Sequence, residues 1–416
     1  HYEMEQEEHD VYPDDPDFDI NKARLVTTAP RICVRYECVP MRFIKHVYKI
    51  HTYAQDGRLF EGKTPVSAFL NSSYDGSFIA GLMELRYIQS LPVERIINYF
   101  ESHGFTLKKP TAHKLMEKAS SLFENLYKCI RQTALSDPYK AADETYYKIL
   151  VPEKNSKGKG VRKGYLWVVV GINTRMIYLL YDDGSRSEKV ILNELGGCKG
   201  IIQSDGYSPY RKLESDAYPH ITRIPCLQHI KRKFIDCGED DPDAKRIVEM
   251  INTLYQNEHK HKIGVDGWTV EQNLVHRKKY APDILGEIKD VLDDIEERGD
   301  LLPKSELKEA ITYLRNEWNA VVDIFNYGDT YLDNNIVERM NRYISLSRKN
   351  SLFFGSHKGA ERGAILYTIA LTCRMNKVNL FEYLTDVINR TAEWQPNTPL
   401  EKYRLLLPDR WEKAND

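Results

Sequence analysis

Hydrophobic and polar positions follow different periods in successive stretches of the chain, and each change of period marks a new kind of element. Residues 1–18 are acidic and broken by prolines, a pattern expected to be poorly ordered. Residues 23–55 are rich in Val, Ile, Tyr and Thr and predict strands, with "DGRLFEGKTP" as turn and linker. From 75 to 135 the apolar spacing becomes helical. "GSFIAGLMELRYIQSL" gives one helix. "PVERIINYFESHG" gives a second, with Pro92 near its first turn and Gly104 as its stop. "KPTAHKLMEKASSLFENLYKCIRQTALSD" gives one long third helix capped by Thr111. The second and third could form a helix-turn-helix, or a plain helical subdomain.

At residue 141 the period shortens again. "DETYYKILV", "GYLWVVVGIN", "RMIYLLYD" and "KGIIQSDGY" are strand-like, and a short helix, "SEKVILNELGG", precedes the fourth. "HITRIPCLQHIKRKFIDC" begins as a fifth strand and becomes a basic helix. Three consecutive strands predict an antiparallel meander, and the helical crossover predicts parallel pairing after it. Residues 240–325 are helical and heavily charged. The block from "YLDNNIVERMNRYISLSRKN" to "TCRMNKV" reads as helix, basic turn and apolar helix.

Length and composition narrow the possibilities. With 416 residues the chain exceeds one ordinary core. Its net charge is -2, so any nucleic-acid surface must be a local patch. Seven scattered cysteines without a C-x-x-C argue for reduced thiols in a cytosol, against a disulfide scaffold or four-cysteine zinc site. No apolar run approaches a membrane span and no signal peptide opens the chain, so no membrane partner is expected. The opening "HYEMEQEEHD" is expected to belong to a longer protein.

Three acids stand out by context: Asp143 at the opening of the first strand of the β-rich segment, Asp205 at the end of the fourth, and Glu338 in "DNNIVERMNRY". In that helix Ile336, Met340 and Ile344 predict the buried stripe. Glu338 lies about 200° round from Ile336, on the side of Asn334, Asn335, Asn341 and Arg342. Each acid alone also fits an ordinary role, since Asp-Gly is a turn signal and Asp333 or Asn334 could be helix caps. Together they can meet at one end of a sheet. Three carboxylates in one place repel unless cations lie between them. Hard divalent ions, Mg²⁺ or Mn²⁺, are the natural partners and serve phosphoryl transfer.

The motifs "AADET", "GIIQSDGYSPY", "CLQHIKRKF" and "LDNNIVERMNRYISLSRKNSLFFGSHKGAERGAILYTI" resemble the DDE transposases of the bacterial insertion sequence sixty-six family, from about residue 63 to the tail. The resemblance implies an α/β fold: a ribonuclease H-like mixed-sheet catalytic core with a helical insertion and an N-terminal helical domain. It divides the chain into a tail and strand-rich segment (1–62), a helical segment with a possible DNA-binding helix-turn-helix (63–136), the first part of the core (137–239), the insertion (240–328), the second part with the catalytic helix (329–390) and a C-terminal tail (391–416). The insertion accounts for the 133-position gap between Asp205 and Glu338, too long for one loop.

Carried over by position, Asp143, Asp205 and Glu338 are the catalytic acids and the ligands of two Mg²⁺ ions, for which Mn²⁺ can substitute. The implied activity is cleavage and strand transfer of insertion-sequence ends. The implied partners are transposon-end and target DNA, a second copy of the chain, and accessory proteins of the same element, in the bacterial cytoplasm at the nucleoid. Two departures stand out. Tyr146 occupies the position where the family usually has proline, and Cys33 and Cys38 do not rebuild the family's upstream zinc segment. Glu144 beside Asp143 leaves the first ligand open between the two, since alternation sends them to opposite faces.

Basic residues near these motifs are candidates for phosphate contacts: Lys231, Arg232, Arg339, Arg342, Arg348 and Lys349, with Lys154, Lys157, Lys159, Arg162 and Lys163 in a glycine-rich loop. A solvated face is the ordinary alternative for such charges. Asn334 and Asn335 are expected to steady the catalytic helix or reach DNA. Cys226 and His229 form C-x-x-H, half a zinc site, and the resemblance implies that His229 supports the metal site. A DNA-binding protein without activity and a ribonuclease H-type nuclease that cuts without joining are the competing functions. A two-carboxylate glycosidase has little support.

Overall fold

The structure, a computed structural model, describes residues 5–39, 42–65, 67–69, 72–153, 160–238, 240–395 and 397–412. The N-terminal part holds six strands: β1 (Glu5–Val11), β2 (Arg24–Leu25), β3 (Arg31–Val39), β4 (Arg42–Ile50), β5 (Thr52–Gln55) and β6 (Arg58–Glu61). They form two small sheets, ordered β1-β4-β3 and β2-β5-β6. Two expectations change here. The acidic opening is not wholly irregular, since β1 pairs parallel to β4, with Glu8 against Lys49 and Asp10 accepting from His51 at 2.9 Å. The stretch read as linker contains β6, turned back on β5 by Asp56-Gly57, both at positive φ (50° and 75°). That is the backbone a two-residue hairpin turn requires.

Helices follow: α1 (Gly76–Met83), continued by a π-helical turn over Glu84–Ile88, then α2 (Val93–Ser102), α3 (Lys109–Leu122) and α4 (Glu124–Ser136). The single long helix predicted over 109–137 is two, interrupted at Phe123 (φ -90°, ψ 1°). Thr111 lies inside α3; the cap position is Lys108, and Pro110 occupies the first turn, where its missing N–H costs nothing.

The central sheet comes next: β7 (Tyr139–Leu150), β8 (Val161–Gly171), β9 (Met176–Leu180), then helix α5 (Glu188–Leu195), β10 (Gly200–Ser204), the short α6 (Ser208–Arg211) and β11 (Ile221–Pro225). Its order is β11-β10-β7-β8-β9. The first three strands pair antiparallel and β10 and β11 join parallel, as the strand–helix pattern predicts. Val168, Val169 and Val170 are fully buried because both faces of β8 are covered. Lys154, Lys157 and Lys159 of the basic loop lie outside the described residues.

Helix α7 (Leu227–Ile235) leads to three long helices, α8 (Pro242–Glu258), α9 (Val270–Arg298) and α10 (Glu306–Ile324). They pack through their own core of Ile247, Leu254, Ile288, Leu292, Ile311 and Leu314, which continues into Ile224 and Ile230. The chain then returns to the sheet as α11 (Asn335–Asn350), β12 (Phe353–Phe354), α12 (His357–Met375), α13 (Leu380–Thr391) and α14 (Leu400–Arg404). Buried polar contacts fix this return. Gln203 accepts from Tyr139 Oη at 2.6 Å and donates to the Tyr331 carbonyl at 2.8 Å, and Tyr331 N donates to Tyr139 Oη at 3.0 Å. Arg277 of α9, fully buried, donates to Glu258, Thr330 and the Tyr327 carbonyl.

Candidate active site

Asp143 sits inside β7, four residues beyond its start at Tyr139, rather than at its opening. Asp205 directly follows β10. The parallel register pairs Ile201 with Tyr139 and Gln203 with Ala141, so the same offset sets Asp205 beside Asp143 on the next strand. Adjacent strands lie ~4.8 Å apart. Tyr207 N donates to Asp205 Oδ1 at 3.1 Å, and Glu144 N donates to Asp143 Oδ1 at 2.8 Å.

The neighbouring acid resolves as alternation requires. Glu144 turns to the other face and takes its own cation, Arg186, whose Nε donates at 3.0 Å. Asp143 faces α11, where Asn341 Nδ2 donates to its Oδ2 at 2.7 Å. Burial, with the charges of Glu144 and Asp205 adding to it, pushes Asp143 up to about 7.

Helix α11 crosses this strand. Asn334 is buried and spans two elements: its N–H donates to Cys226 Sγ at 3.2 Å and its Nδ2 to the Ala142 carbonyl at 3.0 Å. Asn335 is exposed, its N–H turned back on Asp333 at 3.1 Å. The buried stripe of α11 is Val337, Asn341, Ile344 and Ser347, one position on from the predicted Ile336 and Met340, which are only partly covered. Two of those four are polar and bond the fold: Asn341 holds Asp143, and Ser347 accepts from Arg86 at 3.2 Å and Tyr367 at 2.6 Å.

Glu338 lies between Asn334 and Asn341. Its Oε1 is 3.7 Å from His229 Nε2 and its Oε2 4.0 Å from Arg232 Nη2. Cys226, His229 and Glu338 bring one ligand atom each within 4.8 Å of one another, whereas Asp143, Asp205 and Glu338 form no such tight group. Burial holds the Cys226 thiol up at about 12, and it accepts the Asn334 N–H, so it serves as a neutral packing group. Arg348 reaches β7, donating to the Tyr146 carbonyl at 2.5 Å. Lys231 lies 5.9 Å from the Tyr255 ring. Arg339, Arg342 and Lys349 are exposed on α11, without a carboxylate partner among the described residues.

The donor set suits a hard divalent cation. Asn334 Oδ1, Glu338 Oε1, Asn341 Oδ1 and His229 Nδ1 are buried atoms without a hydrogen-bond partner, all around Asp143 and Glu338. Unpaired buried oxygens beside a carboxylate that resists ionisation are what a bound cation relieves. The sequence placed Asn341 on the side of Glu338 but not its contact with Asp143. One contributor escapes sequence reasoning altogether: Tyr313, on α10, accepts the Gly206 N–H at 2.7 Å and packs where a side chain at 206 would stand, since a Cβ there would come within 2.5 Å of its hydroxyl. The glycine after Asp205 thus makes room for a distant helix.

The family model described as "Transposase IS66 family" matches residues 71–362. The chain belongs to this family. It is also similar to three uncharacterized proteins of Sinorhizobium fredii. It is 26% identical to y4jD over 346 residues, 80% of this chain and 65% of y4jD, so it spans just under two thirds of that relative. It is 24% identical to y4hP, over 95% of this chain and 76% of that one. With y4qI it shares 26% identity, over 88% and 69%. Among the described residues, no helix is long and apolar enough to cross a membrane.

Proposed function

We propose that this chain is a DDE transposase that cleaves and joins insertion-sequence DNA ends. The observation that carries the reading is that Asp205, just past the end of β10, continues the parallel register that sets it beside Asp143 of β7, under a helix that presents Glu338 and leaves three buried oxygens unpaired. The strand order β11-β10-β7-β8-β9, with its switch from antiparallel to parallel pairing, supports a ribonuclease H-like core. Asp143, Asp205 and Glu338 would hold two Mg²⁺ ions. When bound, the ions supply Lewis acidity for the attacking oxygen and neutralise charge on the leaving oxygen. Asn341 orients Asp143 for this task, and His229 and Arg232 orient Glu338. Asn334 fixes the start of α11 against β7. Arg339, Arg342 and Lys349, exposed on the same helix, contact phosphates. Two copies act together, because two ends must be joined in one complex.

The test uses a labelled duplex carrying the terminal sequence of the encoding element, with Mg²⁺ or Mn²⁺. The native chain is expected to give cleaved and strand-transferred product, and Asp205→Ala to lose at least ~10³-fold of it, about 4 kcal/mol of barrier. Equal product from both proteins would remove Asp205 from the chemistry. Cleavage without any joined product would reduce the activity to that of a nuclease.

A further inference from the structure

Cations and tyrosines alternate in one unbroken row on the face of β7 and β8 that carries Glu144, opposite Asp143, and the row meets the acid site at its two ends. The Arg348 guanidinium lies 3.9 Å from the centre of the Tyr146 ring. Lys163 Nζ lies 4.3 Å from the same ring and 5.2 Å from that of Tyr165. Arg186 follows, 5.1 Å from Tyr165 and 4.1 Å from Tyr207. The row is built by the sheet: Tyr146 and Tyr165 are directly opposed on β7 and β8, and Lys163 stands two residues before Tyr165 on the same face. Its two ends touch the site. Tyr207 N donates to Asp205, and Arg348 comes from the catalytic helix. Strand β10 ends at Ser204 and β12 joins β7 only at Lys148, which leaves this edge of β7 open beyond Asp143, and Arg348 enters there.

We infer that this row is a phosphate track that holds the backbone of the DNA strand entering the acid site, an inference that rests on the proposed transposase reading. The rings are spacers. Tyr146 and Tyr165 each lie between two cations, so they are not free to stack on bases. What they do is fix three flexible cations in sequence, which lowers the ordering cost of binding. Lys163 and Arg348 have no carboxylate partner among the described residues, and Lys163 is exposed, so their charge is available to phosphates. Arg186 shares its charge with Glu144 and anchors the row to the strand of Asp143. Such a surface reads charge and spacing and carries no base preference. Tyr146 holds the first two cations.

The experiment measures binding of the native chain and its variants to duplex DNA and to a single strand of the same length, from 50 to 200 mM salt, without divalent ions. Lys163→Gln is expected to weaken binding on the order of tenfold at 50 mM salt and to lower the slope of log K against log salt by about 0.9 on the duplex. The pair Tyr146→Leu and Tyr165→Leu, which keeps every charge, is expected to weaken binding about threefold with the slope unchanged. Tyr165→Phe keeps the ring and should bind as the native chain does. An unchanged slope in Lys163→Gln, with native unfolding temperature, overturns the track and leaves the transposase reading standing. Loss of affinity in Tyr165→Phe equal to that of the leucine pair overturns the spacer role of the rings. No DNA binding by the native chain at 50 mM salt removes the transposase reading and the track with it.

Discussion

Two groups of carboxylates sit on either side of the end of β10, and they are treated in opposite ways. On one side, Arg223 of β11 is fully buried and spends its donors on Ser204 Oγ (3.0 Å), the Asp205 carbonyl (2.7 Å), Glu214 (2.5 Å) and Glu317 (2.5 Å). Each acid there has its cation. On the other side, Asp143 and Asp205 have hydrogen bonds from neutral groups and no cation among the described residues. Arg223 even holds Asp205 by its main-chain carbonyl and not by its carboxylate. Acids that build the fold are neutralised inside it; the absence of a cation beside Asp143 and Asp205 fits the role proposed for them.

The largest effect should come from breaking the neutralised side. Arg223→Met strands Glu317, whose side chain is only 1% exposed, and is expected to cost 3–5 kcal/mol. Adding Glu317→Leu should recover most of that loss, since a buried pair often contributes little against an apolar replacement. Unfolding midpoints of the two variants decide it. A double variant as unstable as the single one would mean that Arg223 acts through Ser204 and the Asp205 carbonyl instead.

The open side should respond to pH in the opposite sense from an ordinary ion pair. Asp143 is raised from its usual range to about 7 by burial and by its acidic neighbours. Between about pH 4 and 7 the folded state therefore binds a proton that the unfolded state has released, and stability falls as pH rises through that window. With chelator present, the native chain should lose 2–4 kcal/mol more than Asp143→Asn across it. Equal pH dependence of the two proteins would show that Asp143 ionises freely in the fold.

The same contrast explains what could be read from the chain. The succession of the five main strands and their switch from antiparallel to parallel pairing were legible because apolar runs, a crossover helix and punctuating turns are local signals. Strand β1 was not, because "EQEEHDV" carries one apolar residue; it forms through main-chain pairing with β4 and through charges on the other strand. The buried face of α11 was displaced by one position because periodicity looks for apolar residues, while this face carries Asn341 and Ser347 to polar partners. Tyr313 and Arg223 act on Asp205 from across the fold, and no spacing in the sequence announces them.

A smaller change sharpens the comparison at the residue between the two groups. Gly206→Ala would press a methyl group into the Tyr313 hydroxyl and ring, and is expected to cost 1–3 kcal/mol through overpacking. Tyr313→Phe removes only the bond to Gly206 N, about 1 kcal/mol. If Gly206→Ala were neutral in thermal unfolding, the helices of 242–324 would not brace the Asp205 turn.

The smallest effect separates a cation-binding site from a merely strained one. A cation that binds the folded chain alone stabilises it by mass action, about 1.4 kcal/mol at a concentration tenfold above its Kd. Mg²⁺ should therefore raise the unfolding temperature of the native chain at pH 7.5, and Mn²⁺ should do the same. The rise should vanish in Asp205→Asn, which keeps the shape of the turn but removes half of the charge shared with Asp143. Arg223→Lys, on the neutralised side, should keep it. Sodium at equal ionic strength is the control, because screening acts on all exposed charges and would not distinguish the two variants. An equal rise in both variants would place the ion elsewhere on the surface, and the unpaired oxygens around Asp143 and Glu338 would then need another partner.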